Sequence, residues 1–247
     1  MQDWEAIKAW RKAERARLIA LRVAMDDSAH RAASSAIHAA LAAGFAWPAR
    51  TVIGFCWPFK REFDLRFLLR EWRVQGVAGA LPVVVAAGRP LEFRAWWPGA
   101  PLKRGVYDIP YPDGTPLVVP DVAVVPMNGF DAGGYRLGYG GGYFDRTLAA
   151  LTPRPLAIGV AFECARLESI HPQPHDIAMD FVVTEAGVHA AGAGGLVRLT
   201  AEACRARIAH WLEKRKSALA SAEKPGCFSS PPCYAAEFPG YFGETAD

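Results

Sequence analysis

The sequence predicts an α/β protein, a three-layer sandwich in which a mainly parallel or mixed sheet carries helices on both faces. Three observations support this. Short apolar runs recur at 51–55 (TVIGF), 81–86 (LPVVVA), 91–95 (LEFRA), 122–126 (VAVVP), 156–162 (LAIGVAF) and 181–184 (FVVT), and such runs read as strands. The segments between several of them space their apolar residues as helices do. The chain also contains no internal repeat.

The composition is that of an ordinary globular domain: of 247 residues, 51% are hydrophobic and 21% charged, which excludes wholesale disorder and a coiled coil. A net charge of +3 with no segregated basic face argues against nucleic acid as a partner and leaves a small molecule as the default. The five cysteines, Cys56, Cys164, Cys204, Cys227 and Cys233, are odd in number and form neither a CxxC pair nor a metal-ligand spacing. They read as reduced, mostly buried thiols. The charged N-terminal stretch does not read as a signal peptide, and no apolar run is long enough to cross a bilayer. A cytoplasmic protein that does not engage membranes is expected, as a monomer or weak homodimer.

Residues 3–25 place Ile7, Trp10, Leu18, Leu21 and Met25 on one face of a helix whose polar face is basic, with Lys8, Arg11, Lys12 and Arg15. That basic face reads most simply as solvated. Asp27 or Ser28 would cap a second helix running to about residue 43, with Gly44 as its stop. After the strand at 51–55, the loop WPFKREFD leads into a helix at 64–75. Loops at that strand edge are where open α/β sheets bind ligands. Glu62 reads either as a surface acid, or cap, or as part of such a site.

Two strands, 81–86 and 91–95, turn at Gly88 and Pro90. The Pro- and Gly-rich segment that follows carries Trp96, Trp97, Tyr107 and Tyr111, which would either stack on a flat ligand or pin the loop to the core. Near the far end, Asp176 and Asp180, with His171 and His175 nearby, read equally as a metal group or as turn residues. Residues 1–200 are expected to form a single domain, 201–217 a C-terminal helix and 218–247 a mobile tail.

The densest chemistry lies at 128–146, NGFDAGGYRLGYGGGYFDR. Gly138, Gly140, Gly141 and Gly142 sit between the strand at 122–126 and a helix expected at 143–151, with Arg136 and Arg146 at the same loop. Backbone N–H groups at a helix start, free glycine geometry and two cations together suit an anion, phosphate above all.

The string GYRLGYGGGYFDR resembles the signature of the 5-formyltetrahydrofolate cyclo-ligase family. Other pieces follow in family order: AWRKAE at 9–14, Glu62 and Asp64, LPVV at 81, IPYP at 109 and HDIAMDFVVTE at 175, so the resemblance spans about residues 4 to 186. It implies conversion of 5-formyltetrahydrofolate into 5,10-methenyltetrahydrofolate with ATP as co-substrate and Mg²⁺ as cofactor, releasing ADP and phosphate. The resemblance further implies that the formyl oxygen attacks the γ-phosphate before N10 of the folate captures the activated carbon. Aligning a weak nucleophile with ATP and neutralising phosphate charge are positioning and electrostatic tasks.

Carried over by resemblance, Arg136 and Glu62 are the catalytic candidates. Lys8, Arg11, Arg136, Leu137, Gly138, Tyr139, Gly140, Gly141, Gly142 and Tyr143 would bind ATP. Glu62, Tyr107, Tyr143 and Phe144 would bind the folate, and Asp145 and Asp176 would hold Mg²⁺. Relatives often carry Lys in place of Gly141 and Tyr in place of Phe144, and they place the cation matching Lys8 one residue farther from Arg11. Arg146 or Lys12 would compensate for the missing loop cation. Two competing readings are a catalytically inactive nucleotide- or RNA-binding module that retains the fold, and a sugar-phosphate isomerase that turns over without ATP.

Overall fold

The computed structural model describes residues 4–192 and 194–222; the side chains of residues 107 and 220–222 lie outside that description, as does the expected tail from residue 223 onward. Two helices, α1 (Trp4–Val23) and α2 (Asp27–Gly44), precede the first strand, β1 (Val52–Phe55). Helix α3 (Arg66–Val74) leads to β2 (Ala78–Val83). An excursion through β3 (Glu92–Trp96), β4 (Leu102–Arg104), β5 (Pro110–Pro112) and β6 (Leu117–Val118) follows. Then come β7 (Val122–Pro126), the short pair β8 (Gly129–Phe130) and β9 (Arg136–Leu137), α4 (Tyr143–Ala150) and β10 (Leu156–Val160). Strands β11 (Phe181–Thr184), β12 (Gly187–Gly192) and β13 (Gly195–Leu199) and helix α5 (Ala201–Ala222) complete the order.

The main sheet runs β13-β12-β11-β10-β7-β1-β2-β3-β6. Its centre, from β11 to β2, is parallel throughout. Both margins are antiparallel. The chain steps from β1 outward to β2, then returns to the other side of β1 as β7, so the strand order reverses between β1 and β7. Such a reversal opens a crevice beyond the carboxyl ends of the two strands.

Each central strand buries both faces. In β7, Val122 and Val124 point with Ile53 and Ile158 toward α2, α3 and α5, where they meet Ile37, Leu41, Leu68 and Ile208. The alternate residues, Ala123 and Val125, face Leu148 of α4. This is the expected sandwich, with apolar runs rather than alternation because neither face is wet. Helix α1 stands apart from the sheet: its Leu18 packs with Leu137 and Ile170, beside the glycine-rich stretch.

Several elements differ from the sequence expectation. β2 begins at Ala78, because Ala78, Gly79 and Ala80 form its ladder with β1. Gly79 is required there: a Cβ would stand 2.5 Å from Leu69 Cδ2. The Pro-rich segment contains its own ladder, β4 with β5. Trp96 is a core residue on β3, edge-on to Phe55 with ring centres 5.3 Å apart. Asp26, not Asp27 or Ser28, caps α2, accepting the Ser28 and Ala29 N–H groups. Gly44 lets α5 approach, since its Cβ would sit 3.2 Å from Cys204 Sγ. Helix α5 continues to Ala222, past the expected end at Ser217. Of the described cysteines Cys204 is buried, whereas Cys164 is exposed. Among the described residues no helix is long and apolar enough to cross a membrane.

Candidate functional site

Beyond the carboxyl ends of β1, β7 and β10 lies a small cleft. Its walls are mostly apolar, with Phe55, Phe63, Val124, Pro126 and Phe162, while Arg22 and Glu62 supply the charge. An apolar cleft with a few placed polar groups is the usual form of a small-molecule site.

Glu62 reaches the cleft through an unusual turn. Lys60 (φ 48°) and Arg61 (φ 60°) are successive non-glycine residues in the left-handed region, which persists only where neighbours hold it. Arg22 Nε donates to Lys60 O at 2.9 Å, and His30 Nε2 lies 3.0 Å from Arg61 O. The Arg61 guanidinium reaches Asp27 at 2.7 Å and Met25 O at 3.1 Å. The corner between α1 and α2 therefore clamps the turn. Glu62 is only 7% exposed. Its Oε1 accepts the Tyr139 hydroxyl at 2.7 Å and its Oε2 the Phe59 N–H at 3.0 Å. Burial pushes its carboxyl above the usual glutamate range, against the pull of Tyr139, Arg22 and the Phe59 N–H.

The glycine-rich stretch is organised by Asp131. Its carboxylate accepts the Gly133 and Tyr135 N–H groups at 2.9 and 3.1 Å and the Ile170 N–H at 3.1 Å. This folds the chain back so that β8 pairs with β9 and presents Arg136. The loop then runs over Gly138 to Gly142, with Gly140 (φ 93°) and Gly142 (φ 61°) in the left-handed region immediately before α4. At Gly138 a Cβ would meet nothing within 4 Å, so the backbone there is open to a ligand. Gly141 has a different reason for lacking a side chain: its Cβ would stand 2.7 Å from the Tyr143 ring.

Cations and acids alternate around this loop. Buried Arg136 pairs with Asp145 of α4 at 2.9 Å and donates to Ile177 O at 3.0 Å, while Asp145 Oδ1 accepts the Ile177 N–H at 3.0 Å. Arg11 of α1 pairs with Asp176 at 2.6 Å and donates to Ile170 O and His171 O at 3.0 and 2.9 Å. Burial lowers the Arg136 pKa, an effect that Asp145 and Asp176 offset. Burial also opposes ionisation of Asp176, yet hydrogen bonds from Arg11 and the Gln173 N–H hold it below the usual aspartate range.

The structure thus brings Arg11, Arg136, Asp145, Asp176 and the glycines together, and sets Tyr139 between them and Glu62. It does not bring Lys8 to the loop. Glu5, one turn away, takes the Lys8 ammonium at 2.8 Å on the exposed side of α1. Leu137 is a packing residue beside Leu18. Phe144 packs against two apolar clusters behind α4, and the Tyr143 ring joins one of them under the Arg146 guanidinium, 5.3 Å away. The Tyr107 side chain lies outside the described residues. Asp180 serves the fold instead, accepting the Ala157 N–H at 2.7 Å at the entrance to β11. His171 and His175 lie edge-on to Trp10 and Trp4.

Two residues escaped the sequence reading. Arg15 donates from Nε to Gly138 O at 2.5 Å and spreads its guanidinium beneath Gly140. Arg22 reaches Tyr139 and Glu62. The signal was present: positions 11, 15, 18 and 22 follow helical i, i+4, i+7, i+11 spacing, so the three arginines share a stripe with Leu18. That stripe packs inward.

Among the described residues no three His, Cys, Asp or Glu side chains cluster to hold a metal ion alone. Two carboxylates beside a glycine-rich loop would nevertheless suit Mg²⁺, which keeps waters and takes one or two protein carboxylates plus phosphate oxygens.

Comparison with known proteins identifies the family and the fold. The model of the 5-formyltetrahydrofolate cyclo-ligase family matches residues 7–185. The 5-formyltetrahydrofolate cyclo-ligase of Escherichia coli K12 is 34% identical over 139 residues, covering 53% of this chain and 75% of the relative. That of Haemophilus influenzae is 28% identical over 128 residues, covering 49% and 68%. The solved Aquifex aeolicus 5,10-methenyltetrahydrofolate synthetase superposes with a TM-score of 0.61 at 28% identity, covering 72% of this chain and 91% of its own. The Mycoplasma pneumoniae 5,10-methenyltetrahydrofolate synthetase, 22% identical with a TM-score of 0.59, covers 71% and 98% and speaks for the fold. The chain belongs to the 5-formyltetrahydrofolate cyclo-ligase family of folate enzymes.

Proposed function

We propose that the protein converts 5-formyltetrahydrofolate into 5,10-methenyltetrahydrofolate, using ATP and Mg²⁺ and releasing ADP and phosphate. The observation that carries this reading is the placement of two arginine–aspartate pairs, Arg136–Asp145 and Arg11–Asp176, at a glycine loop whose Tyr139 touches Glu62 in the adjoining cleft. A phosphate-handling surface and a small-molecule cleft share one wall.

In this reading the backbone of residues 138–142, with Arg136, Arg11 and Arg15, orients the triphosphate. Asp145 and Asp176 would hold Mg²⁺, which neutralises phosphate charge when bound. The apolar cleft takes the folate ring and excludes water, and Glu62 faces the formyl-bearing end. The formyl oxygen then displaces ADP at the γ-phosphorus, N10 attacks the formyl carbon, and loss of the N10 proton and of phosphate leaves the methenyl bridge. The protein contributes alignment and charge stabilisation at the developing phosphate oxygens.

The test is the absorbance of methenyltetrahydrofolate formed from 5-formyltetrahydrofolate by pure protein. A rise that requires both ATP and Mg²⁺ and stops on chelation is expected; no rise would sink the assignment. Tight nucleic-acid binding with a steep salt dependence would instead indicate a binding module.

A further inference from the structure

Arg22 is the most deeply placed cation of the cleft, 5% exposed on the last turn of α1. It touches two things at once. Its Nε holds Lys60 O at 2.9 Å, on the left-handed turn that delivers Glu62. Its terminal nitrogen donates to the Tyr139 hydroxyl at 3.2 Å and stands 3.7 Å from Glu62 Oε1. The Tyr139 hydroxyl donates a hydrogen bond to that same oxygen at 2.7 Å. Arg22, Tyr139 and Glu62 therefore form a closed triangle on the cleft wall, and the backbone leading into Glu62 is fastened to its base.

We propose that Arg22 is a positioning residue for Glu62, fixing where the carboxylate points and opposing its protonation beside the folate. This rests on the reading of Glu62 as the acid at the formyl-bearing end. A buried carboxylate without a cation takes up a proton. The groups facing Glu62 are Arg22 from α1, Tyr139 from the glycine loop and Cys56 at the end of β1. His30 of α2, Lys60 and Arg61 stand behind the turn, and Cys164 lies within the field of Arg22. Arg22 is the one among them that both carries fixed positive charge and meets the Glu62 carboxylate. A purely structural arginine would need only its bond to Lys60 O.

The experiment compares Arg22→Gln, which keeps a donor without charge, with Arg22→Lys, which keeps charge. The readouts are the Glu62 carboxyl titration by ¹³C NMR, which needs no turnover, and the acid limb of kcat/KM for 5-formyltetrahydrofolate. In Arg22→Gln the Glu62 pKa and the acid limb should both move up by about half a pH unit or more, with kcat/KM for folate down about tenfold. KM for ATP should stay within about twofold. Arg22→Lys should hold the limb near its wild-type position. Tyr139→Phe, which leaves Arg22 in place, should move the titration the same way and serves as the control for the separate tyrosine hydrogen bond. Unchanged titration in Arg22→Gln overturns the proposal, as does an equal loss in Gln and Lys variants that only tracks melting temperature, or, where Arg22→Gln does not fold, an acid limb that moves up in Arg22→Lys. Glu62→Gln separates the two levels. If Glu62→Gln loses turnover while Arg22→Gln behaves as wild type, the positioning role alone falls. If Glu62→Gln keeps wild-type turnover, the reading of Glu62 falls and this inference with it.

Discussion

Arg136 and Asp145 meet at 2.9 Å across the glycine loop that separates them in sequence, and both also bond Ile177, one through its carbonyl and one through its N–H. The start of the loop, the first turn of α4 and the 170–177 segment are thereby tied at one point.

Asp145→Asn keeps an oxygen for the Ile177 N–H but removes the charge. Turnover should fall by about 100-fold or more if this acid helps hold Mg²⁺, with the protein still folded by circular dichroism. Its melting temperature should drop, because buried Arg136 loses its counter-charge. Near-normal rates at limiting Mg²⁺ would reject the metal role.

The Arg11–Asp176 pair gives stability a defined pH dependence. Because the folded-state pKa of Asp176 is depressed, the pair stabilises the protein above the usual aspartate value and the contribution is lost as pH falls through the depressed value. Denaturant melts between about pH 5 and pH 2 should show this decline. Asp176→Asn, about 3 kcal/mol less stable at neutral pH, should show a shallower one. Parallel curves for the two proteins would refute the linkage.

Gly54 of β1 has no room for a methyl group: a Cβ would stand 2.6 Å from Phe93 Cε1 and 3.1 Å from Pro120 Cβ. Gly54→Ala should therefore cost about 1–3 kcal/mol in urea unfolding. A neutral result would mean that the Phe93 ring can move aside freely.

Helix α5 is fixed to the sheet by Cys204 and Ile208 in the core and by Arg215, which pairs with Asp121 at 2.8 Å. A chain ending at Ala222 keeps all of these contacts and should retain full activity. One ending before Arg215 should lose about 1–3 kcal/mol and expose the Asp121 carboxylate. Loss of soluble protein from the chain ending at Ala222 would show that residues beyond it contribute to the fold.

The elements legible in the sequence were those whose residues carry strong local preference. The β-branched runs of β1, β7, β10 and β11 announced themselves, as did the glycines before α4. The hairpin of β12 and β13 did not: GVHAAG is rich in Ala and Gly, and the strand state comes from the pairing of β12 with β11 and of β13 with β12 rather than from propensity. At the candidate site, motif order picked out Glu62, Arg136, Asp145 and Asp176, which the structure brings to the glycine loop and the adjoining cleft. Arg15 and Arg22 were hidden in a run of helical cations that resembles any solvated face, and only the packing of α1 against two loops tells them apart.

That packing gives α1 the character of a ruler. Arg11 and Arg22 lie eleven positions apart on one helix, a span of about 16 Å at 1.5 Å per residue. One end is anchored on the segment carrying Asp176 and the other on the turn carrying Glu62. The separation of the proposed phosphate and formyl ends is set by a rigid helical rise instead of by loop length. A single residue inserted between Arg15 and Leu18 would swing the far anchor about 100° off its stripe, decoupling the two ends without altering any residue in either.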